Sequence, residues 1–352
     1  MAATIAPFEK VWKIDTEQYR HLNYHDILGD VKNLALVEPS NGLEILCAIL
    51  SDNTRVGINP EDGSVIWTNY DQVFDSHKQF KEFHAFPYSE DEGLLYLLAR
   101  QENEILEVDA ETGQIRRRID LKRELGTAWV NGSTLFGAYD ENHLIGYDRN
   151  TGEQRWQREF SSKVRILGHD ENGNLYVSVK KMDDLLVLDP KTGKTIRTYD
   201  PGTTATSLAI GDSELYLTLW DENGSVVSLS RETGKQNWKV EKNTNRVIRD
   251  GSQLFLLTRD LRKVLSLDAT TGKLLWRHEK LGDPTINDYD VTDGHVIVGY
   301  SSGSLGIHNR ETGDPENLFP MDHGSVNIVT ASGTGKVYVA DKREIALYAP
   351  RK

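Results

Sequence analysis

A turn of the form Asp-x-x-Thr-Gly returns along this chain at nearly constant spacing, and that recurrence limits the fold more than any other feature. The turn glycines are Gly63, Gly113, Gly152, Gly193, Gly234, Gly272 and Gly313, spaced by 50, 39, 41, 41, 38 and 41 residues. A period in this range marks a repeat architecture, in which each copy is one supersecondary unit that buries its apolar face against its neighbours. The stretch from Leu265 to Glu279, LSLDATTGKLLWRHE, shows the unit most clearly. Its first part alternates apolar and polar residues as a strand does, a short turn follows, and a second strand begins.

The repeat columns have a common chemistry. Four residues before each glycine stand Asn59, Asp109, Asp148, Asp189, Ser230, Asp268 and Asn309, all with short oxygen-bearing side chains. Such side chains accept hydrogen bonds from backbone N–H groups two or three residues on and so close a turn. The glycine suits a left-handed backbone that a Cβ would strain. Four residues after it come Trp67, Trp156, Trp238 and Trp276, with Arg117, Arg197 and Asn317 in the other copies. A tryptophan there has a large apolar surface to bury, and the neighbouring repeat is the natural place.

These residues resemble the pyrroloquinoline-quinone-like repeat, whose unit reads Ala-x-Asp-x-x-Thr-Gly-x-x-x-Trp. LSLDATTGKLLW matches it at all but the first position. That family includes quinoprotein alcohol dehydrogenases and the bacterial outer-membrane barrel-assembly lipoprotein. The resemblance implies an all-β propeller of four-stranded antiparallel blades. It leaves activity open, because the family holds both enzymes and binding scaffolds.

The ends of the chain complete the count. Glu9 to Asp15, EKVWKID, reads as the outer strand of a repeat without its turn, whereas Lys336 to Ala340 and Glu344 to Ala349 read as inner strands with no outer strand after them. Joining the two gives an eighth blade shared between residues 8–15 and 325–350, and removes a sheet edge that would invite aggregation. The expectation is a single domain, 1–352, with eight blades averaging 44 residues (352/8). The apolar runs LLYLLA, LYVSV, LYLTLW and LFLLT suit strands buried on both faces.

Composition narrows the partners. Lysine plus arginine is 41 against 54 acidic residues, a net charge of −13. This disfavours nucleic acid, whose binding depends on phosphate neutralisation, and favours a protein partner with a basic patch. The one cysteine, Cys47, lies in the apolar run EILCAIL and reads as a small core residue. No run approaches a transmembrane span. The opening segment MAATIAPFEKVW has neither the basic region nor the apolar stretch of a secretory signal. The chain as written is therefore expected in the cytoplasm, although a secreted or periplasmic domain whose leader had been removed would read the same.

Three function classes follow. A quinone-dependent dehydrogenase, the enzyme that the resemblance implies, would hold its quinone on Ca²⁺ through carboxylates and an amide. Asp288, Asp290 and Asn287, or Asp26 and Asn23, are the candidate oxygen ligands. Many of those dehydrogenases cover the quinone with a disulfide between adjacent cysteines, and a single cysteine excludes it here. HDENGN, His169 to Asn174, resembles part of a calcium loop but has no glutamate at the twelfth position, and reads better as a hairpin turn.

The second class is a non-catalytic scaffold with no cofactor. The glycine turns are constant, while the loops between second and third strands vary widely: SDNTR, RQEN, DENH, KKMDD, WDENG, RDLRK and SSG. Variable loops on one face of a constant frame point to recognition there. The insertion from Asp71 to Phe86 joins that face, so Phe74, Phe80 and Phe83 are expected to contact a partner together with Trp220 and Asp221. Trp220-Asp221 is the only dipeptide of its kind and no Gly-His precedes it, which disfavours a WD-repeat signature. A third class, binding of a sugar or other small molecule in a central funnel, would use the inner-strand residues His84, Trp129, Arg165, Arg246, Asp288 and Tyr289.

Overall fold

The computed structural model describes residues 8–19, 31–37, 44–50, 54–69, 83–89, 93–99, 103–279, 285–322, 324–332, 335–341 and 343–351. Among these residues lie eight four-stranded antiparallel sheets; seven follow the chain from inner strand a to outer strand d, and the eighth takes its outer strand from the start of the chain. In blades one to seven the glycine turns join strands c and d, in order. The chain divides into two compact units, Met1–Asp120 with Gly282–Lys352, and Leu121–Leu281.

The first unit contains blades one, two, seven and eight. Blade eight is built as the sequence implies: Phe8–Asp15 pairs with Glu344–Pro350 from Phe8 opposite Pro350 to Asp15 opposite Glu344, with a bulge between Lys10 and Trp12. Ile14, Tyr338, Ile345 and Leu347 then pack with Val31, Leu34, Leu46 and Val56 of blade one. Cys47 is buried with Val37, Ile45, Leu95 and Leu97 between blades one and two, and burial pushes its thiol pKa up. It is a core residue, as expected.

The second unit contains blades three to six. Blade four runs through Val164–His169, Leu175–Val179, Leu185–Leu188 and Thr195–Tyr199. Blade five runs through Ala205–Ile210, Glu214–Leu219, Ser225–Ser230 and Gln236–Glu241. Tyr176, Leu185, Val187 and Tyr199 of blade four interdigitate with Ala205, Leu215, Leu217 and Leu229 of blade five. Strand b is buried on both faces, which accounts for its continuous apolar sequence.

Each repeat turn closes as its side chains dictate. Asp148 Oδ1 accepts the N–H groups of Asn150 at 2.8 Å and Thr151 at 2.9 Å, and Asp109 and Asp189 do the same with Glu111 and Thr112 and with Lys191 and Thr192. Ser230 Oγ accepts from Thr233 at 3.1 Å. Gly152 adopts φ of +74°. The tryptophans then tie neighbouring blades together within each unit: Trp12, Trp67, Trp156 and Trp238 donate their indole N–H to the carbonyls of Pro60, Ala110, Pro190 and Ala269 in the next turn.

Candidate functional site

Within each blade the b–c and d–a loops lie at the end opposite the glycine turns. The loop Trp220-Asp221-Glu222-Asn223-Gly224 joins strands b and c of blade five. Trp220 is 65% exposed, so it stands outside the core, although the strand before it is buried from Leu215 to Leu219. Its backbone is held all the same. Trp220 N donates to Thr204 O at 2.8 Å, and Arg259 donates to Leu219 O at 2.7 Å and Asp221 O at 2.8 Å. The same guanidinium lies 5.0 Å from the indole centroid, within cation–π range.

Asp221 shapes the rest of the loop. Its Oδ1 accepts from Ser225 N at 2.8 Å, and its Oδ2 pairs with Lys239 at 3.2 Å. Burial raises its pKa, but the Ser225 hydrogen bonds and Lys239 outweigh that and hold the carboxyl below its ordinary range. Gly224 has φ of +56°, and a Cβ there would fall 2.6 Å from Asn243 Cα. The loop is a rigid platform with one large ring turned to solvent.

Two cavities flank it. The first, about 550 Å³, lies between blades four and five and is lined by Trp220, Lys163, Arg165, Lys180, Lys181 and Ser178, with Thr203 to Thr206. The second, about 540 Å³, lies on the other side of the loop, where Glu222, Glu241 and Asp260 face Lys242, Lys263 and Arg277. The first has one sign of charge and the second balances both.

The other residues singled out from sequence distribute differently. Phe74 and Phe80 lie outside the described residues, as do Asn23 and Asp26; Phe83 and His84 lie on strand a of blade two, Phe83–Ser89. Trp129 is half-buried against Phe136, Val164 and Val177. Arg165 lines the cationic cavity and reaches Thr206 O at 3.4 Å. Arg246 is exposed on strand a of blade six.

Tyr289, on the inner strand of blade seven, is fully buried. Asp288 and Asp290 sit on the same strand, and each has both oxygens engaged. Asp288 accepts from Tyr289 N at 3.0 Å and Val329 N at 3.1 Å, and Asp290 from Val291 N at 2.8 Å and Ala331 N at 2.9 Å. They fix the inner strand of blade eight against that of blade seven. Asn287 likewise donates to Ser325 Oγ and Val326 O, both at 2.9 Å. HDENGN is a hairpin turn: Asp170 Oδ1 accepts from Asn172 N at 3.0 Å and Asn174 N at 2.9 Å, and its Oδ2 accepts from Arg231 at 3.0 Å. Among the described residues, no group of three or more His, Cys, Asp or Glu side chains could hold a metal ion.

Lys163 and Ser178 escaped the sequence reading, and Lys180, Lys181 and Arg259 entered it only as members of the variable loops KKMDD and RDLRK. The one available signal was the adjacent Lys180-Lys181 pair opening a variable loop.

Eight four-stranded blades with repeated Asp/Asn-to-Gly turns and interblade tryptophans define an eight-bladed β-propeller built from pyrroloquinoline-quinone-like repeats. The chain belongs to the family described as outer membrane protein assembly factor BamB, which it matches over residues 51–199 and again over 181–349. Among solved structures, BamB from Moraxella catarrhalis is similar with a TM-score of 0.73 at 15% identity, covering 97% of this chain and 99% of that one. The computationally designed Ika8 protein gives 0.70 at 12% identity over 92% of this chain and 98% of that one. The C-terminal WD40 domain of Sif2 gives 0.72 at 11% identity over 99% and 100%. No curated protein matches the sequence. The expectation of a cytoplasmic location gains no support from these likenesses. No helix among the described residues is long and apolar enough to cross a membrane.

Proposed function

We propose that this chain is a non-catalytic scaffold, one propeller domain across residues 1–352, that recognises another protein through its d–a and b–c loops. The observation that carries the reading is Trp220, a large ring 65% exposed on a loop whose backbone is pinned by Thr204 and Arg259. Tryptophan held rigid before binding gives contact area at low entropic cost, and interface energy concentrates in such anchors. The BamB and WD40 likenesses support a scaffold of this kind. Phe74, Phe80, Phe83 and Asp221 are proposed to extend the contact surface. The family description makes a periplasmic location the better reading. The net charge of −13 favours a partner with basic surface and makes association salt-sensitive.

The test is capture of a partner by wild type and by Trp220→Ala from a periplasmic extract, with pyrroloquinoline quinone and Ca²⁺ added to the purified protein in parallel. The expected result is a protein retained by wild type and lost in the variant, with no quinone-dependent dye reduction. Stoichiometric quinone binding with turnover of alcohols or aldose sugars would replace the scaffold by the enzyme.

A further inference from the structure

The cavity between blades four and five joins three features that the repeat does not require. Lys163, Arg165, Lys180 and Lys181 give it four cationic side chains, and no acidic residue lines it. Among the described residues only Lys163 of the four has an ion-pair partner, Glu141, and both members of that pair are at least half exposed. Exposed pairs of this kind hold their members weakly.

Ser178 is the second feature. It is 2% exposed, and its hydroxyl has no hydrogen-bond partner. In the strand ladder it stands directly opposite Arg165. Val177 and Val179 pack toward blade three, while Tyr176 packs toward blade five. Alternation therefore turns Ser178 toward blade five, into the cavity. A buried hydroxyl with no protein partner is unfavourable unless a water or a ligand supplies one. Trp220 is the third feature, an apolar wall beside these donors.

We infer that this cavity binds carboxylate side chains of an acidic, extended segment of the partner protein, with an apolar side chain of that segment against Trp220. The inference rests on the scaffold reading and names the chemistry of the segment it would take. Arg165 offers a planar fork suited to a carboxylate, the lysines add charge, and Ser178 donates to an oxygen placed deepest. The volume, about 550 Å³, lies within the range of ligand pockets, about 300–1,000 Å³. The chain's overall negative charge does not forbid an acidic guest, since over a screening length of about 8 Å the four cations outnumber Glu141, the acid beside Lys163 and Lys180. It does oppose a nucleic acid, whose charge continues far beyond the cavity. The neighbouring cavity has mixed charge and shows no such preference. The partner is then a protein of mixed charge, with a basic surface and an acidic segment.

The test is fluorescence polarisation with a labelled peptide of alternating Glu and Asp around one central Phe. Its control is the same peptide with every acid replaced by its amide, and free citrate and inorganic phosphate serve as competitors. The acidic peptide is expected to bind, and its affinity to fall by about tenfold or more in the control and in Lys180→Glu/Lys181→Glu. Ser178→Ala and Trp220→Ala should each weaken it several-fold. Absence of peptide binding, or binding undiminished in the double lysine variant, overturns the inference. Displacement by citrate or phosphate at the concentration at which unlabelled peptide competes also overturns it, in favour of a small free anion. Partner capture separates the two readings: capture lost in Trp220→Ala but intact in the lysine variant removes the acidic segment and keeps the scaffold, and capture intact in both removes the scaffold as well.

Discussion

The indole N–H of Trp156 donates to the carbonyl of Pro190 at 2.7 Å, joining the outer strand of blade three to the turn of blade four. The ring covers Gly193, where a Cβ would fall 2.6 Å from it on a backbone with φ of +67°. One side chain thus couples burial, a hydrogen bond and a turn that only glycine fits well.

Replacing Trp156 by alanine is therefore expected to cost about 3–5 kcal/mol, the usual range for losing a buried aromatic side chain. Gly193→Ala should also be destabilising, because it meets both the ring and an unfavourable left-handed backbone. Urea unfolding of both variants checks this, and a Trp156→Ala midpoint equal to wild type would refute the coupling.

Most of this was legible in the sequence because the chemistry is local. An Asp two or three residues before the N–H it accepts, and a glycine at positive φ, are fixed by spacing alone. Arg197 was opaque, since nothing local says how a blade manages without its tryptophan. In the structure Arg197 and Tyr199 both donate to Arg231 O, Tyr199 at 2.7 Å, the position equivalent to Pro190. The cationic cavity was opaque for the same reason: Arg165, Ser178, Lys180 and Trp220 meet only once two blades pack.

Closure of blade eight makes a second prediction. Glu344 is nearly fully buried and pairs with Lys10 at 2.8 Å and Lys13 at 3.3 Å. Removing residues 1–15 takes away both lysines, the burial of Phe8 and Ile14, and the partner of strand Glu344–Pro350. The loss should reach several kcal/mol at about 25 cal/mol per Å² of apolar surface, with association through the freed edge. Thermal melting and size-exclusion chromatography of the truncated chain decide it, and a monomer that melts like wild type would contradict the closure.

The turn aspartates set an acid limit on stability. Hydrogen bonds from the Thr271 hydroxyl and N–H hold Asp268 below its ordinary value of 3.8, and the Thr151 N–H is foremost in doing so for Asp148. A carboxyl depressed in the folded state binds fewer protons than in the unfolded chain. Its contribution is complete above 3.8 and is lost as pH falls through the lower folded value. Urea midpoints should therefore hold from pH 7 to about pH 5 and drop steeply below pH 4. The drop should be shallower in Asp268→Asn, and an equal slope in both proteins would remove this residue from the acid transition.

Strand register gives the sharpest test of how the repeat tolerates its own variation. Across from each repeat tryptophan, strand c carries a small residue: Gly57 faces Trp67, Gly146 faces Trp156, Ser228 faces Trp238 and Ser266 faces Trp276. Where the tryptophan is replaced, the opposite residue is larger: Val187 faces Arg197, Glu107 faces Arg117 and Ile307 faces Asn317. Trp12, which reaches blade eight from the other end of the chain, departs from this pattern by facing Leu347. The steric reason is direct, since a Cβ at Gly146 would fall inside the Trp156 indole. Gly146→Val alone should thus be strongly destabilising through overpacking, about 1–3 kcal/mol or more. Trp156→Arg alone leaves unfilled the space that the ring occupied. Together they reproduce the pairing of Val187 with Arg197, and the valine occupies part of the vacated volume. The double variant should be more stable than the sum of the single losses by at least about 1 kcal/mol, within the range for residues in contact. Urea denaturation of the four proteins closes the cycle, and simple additivity would show that the opposite residue and the tryptophan are chosen independently.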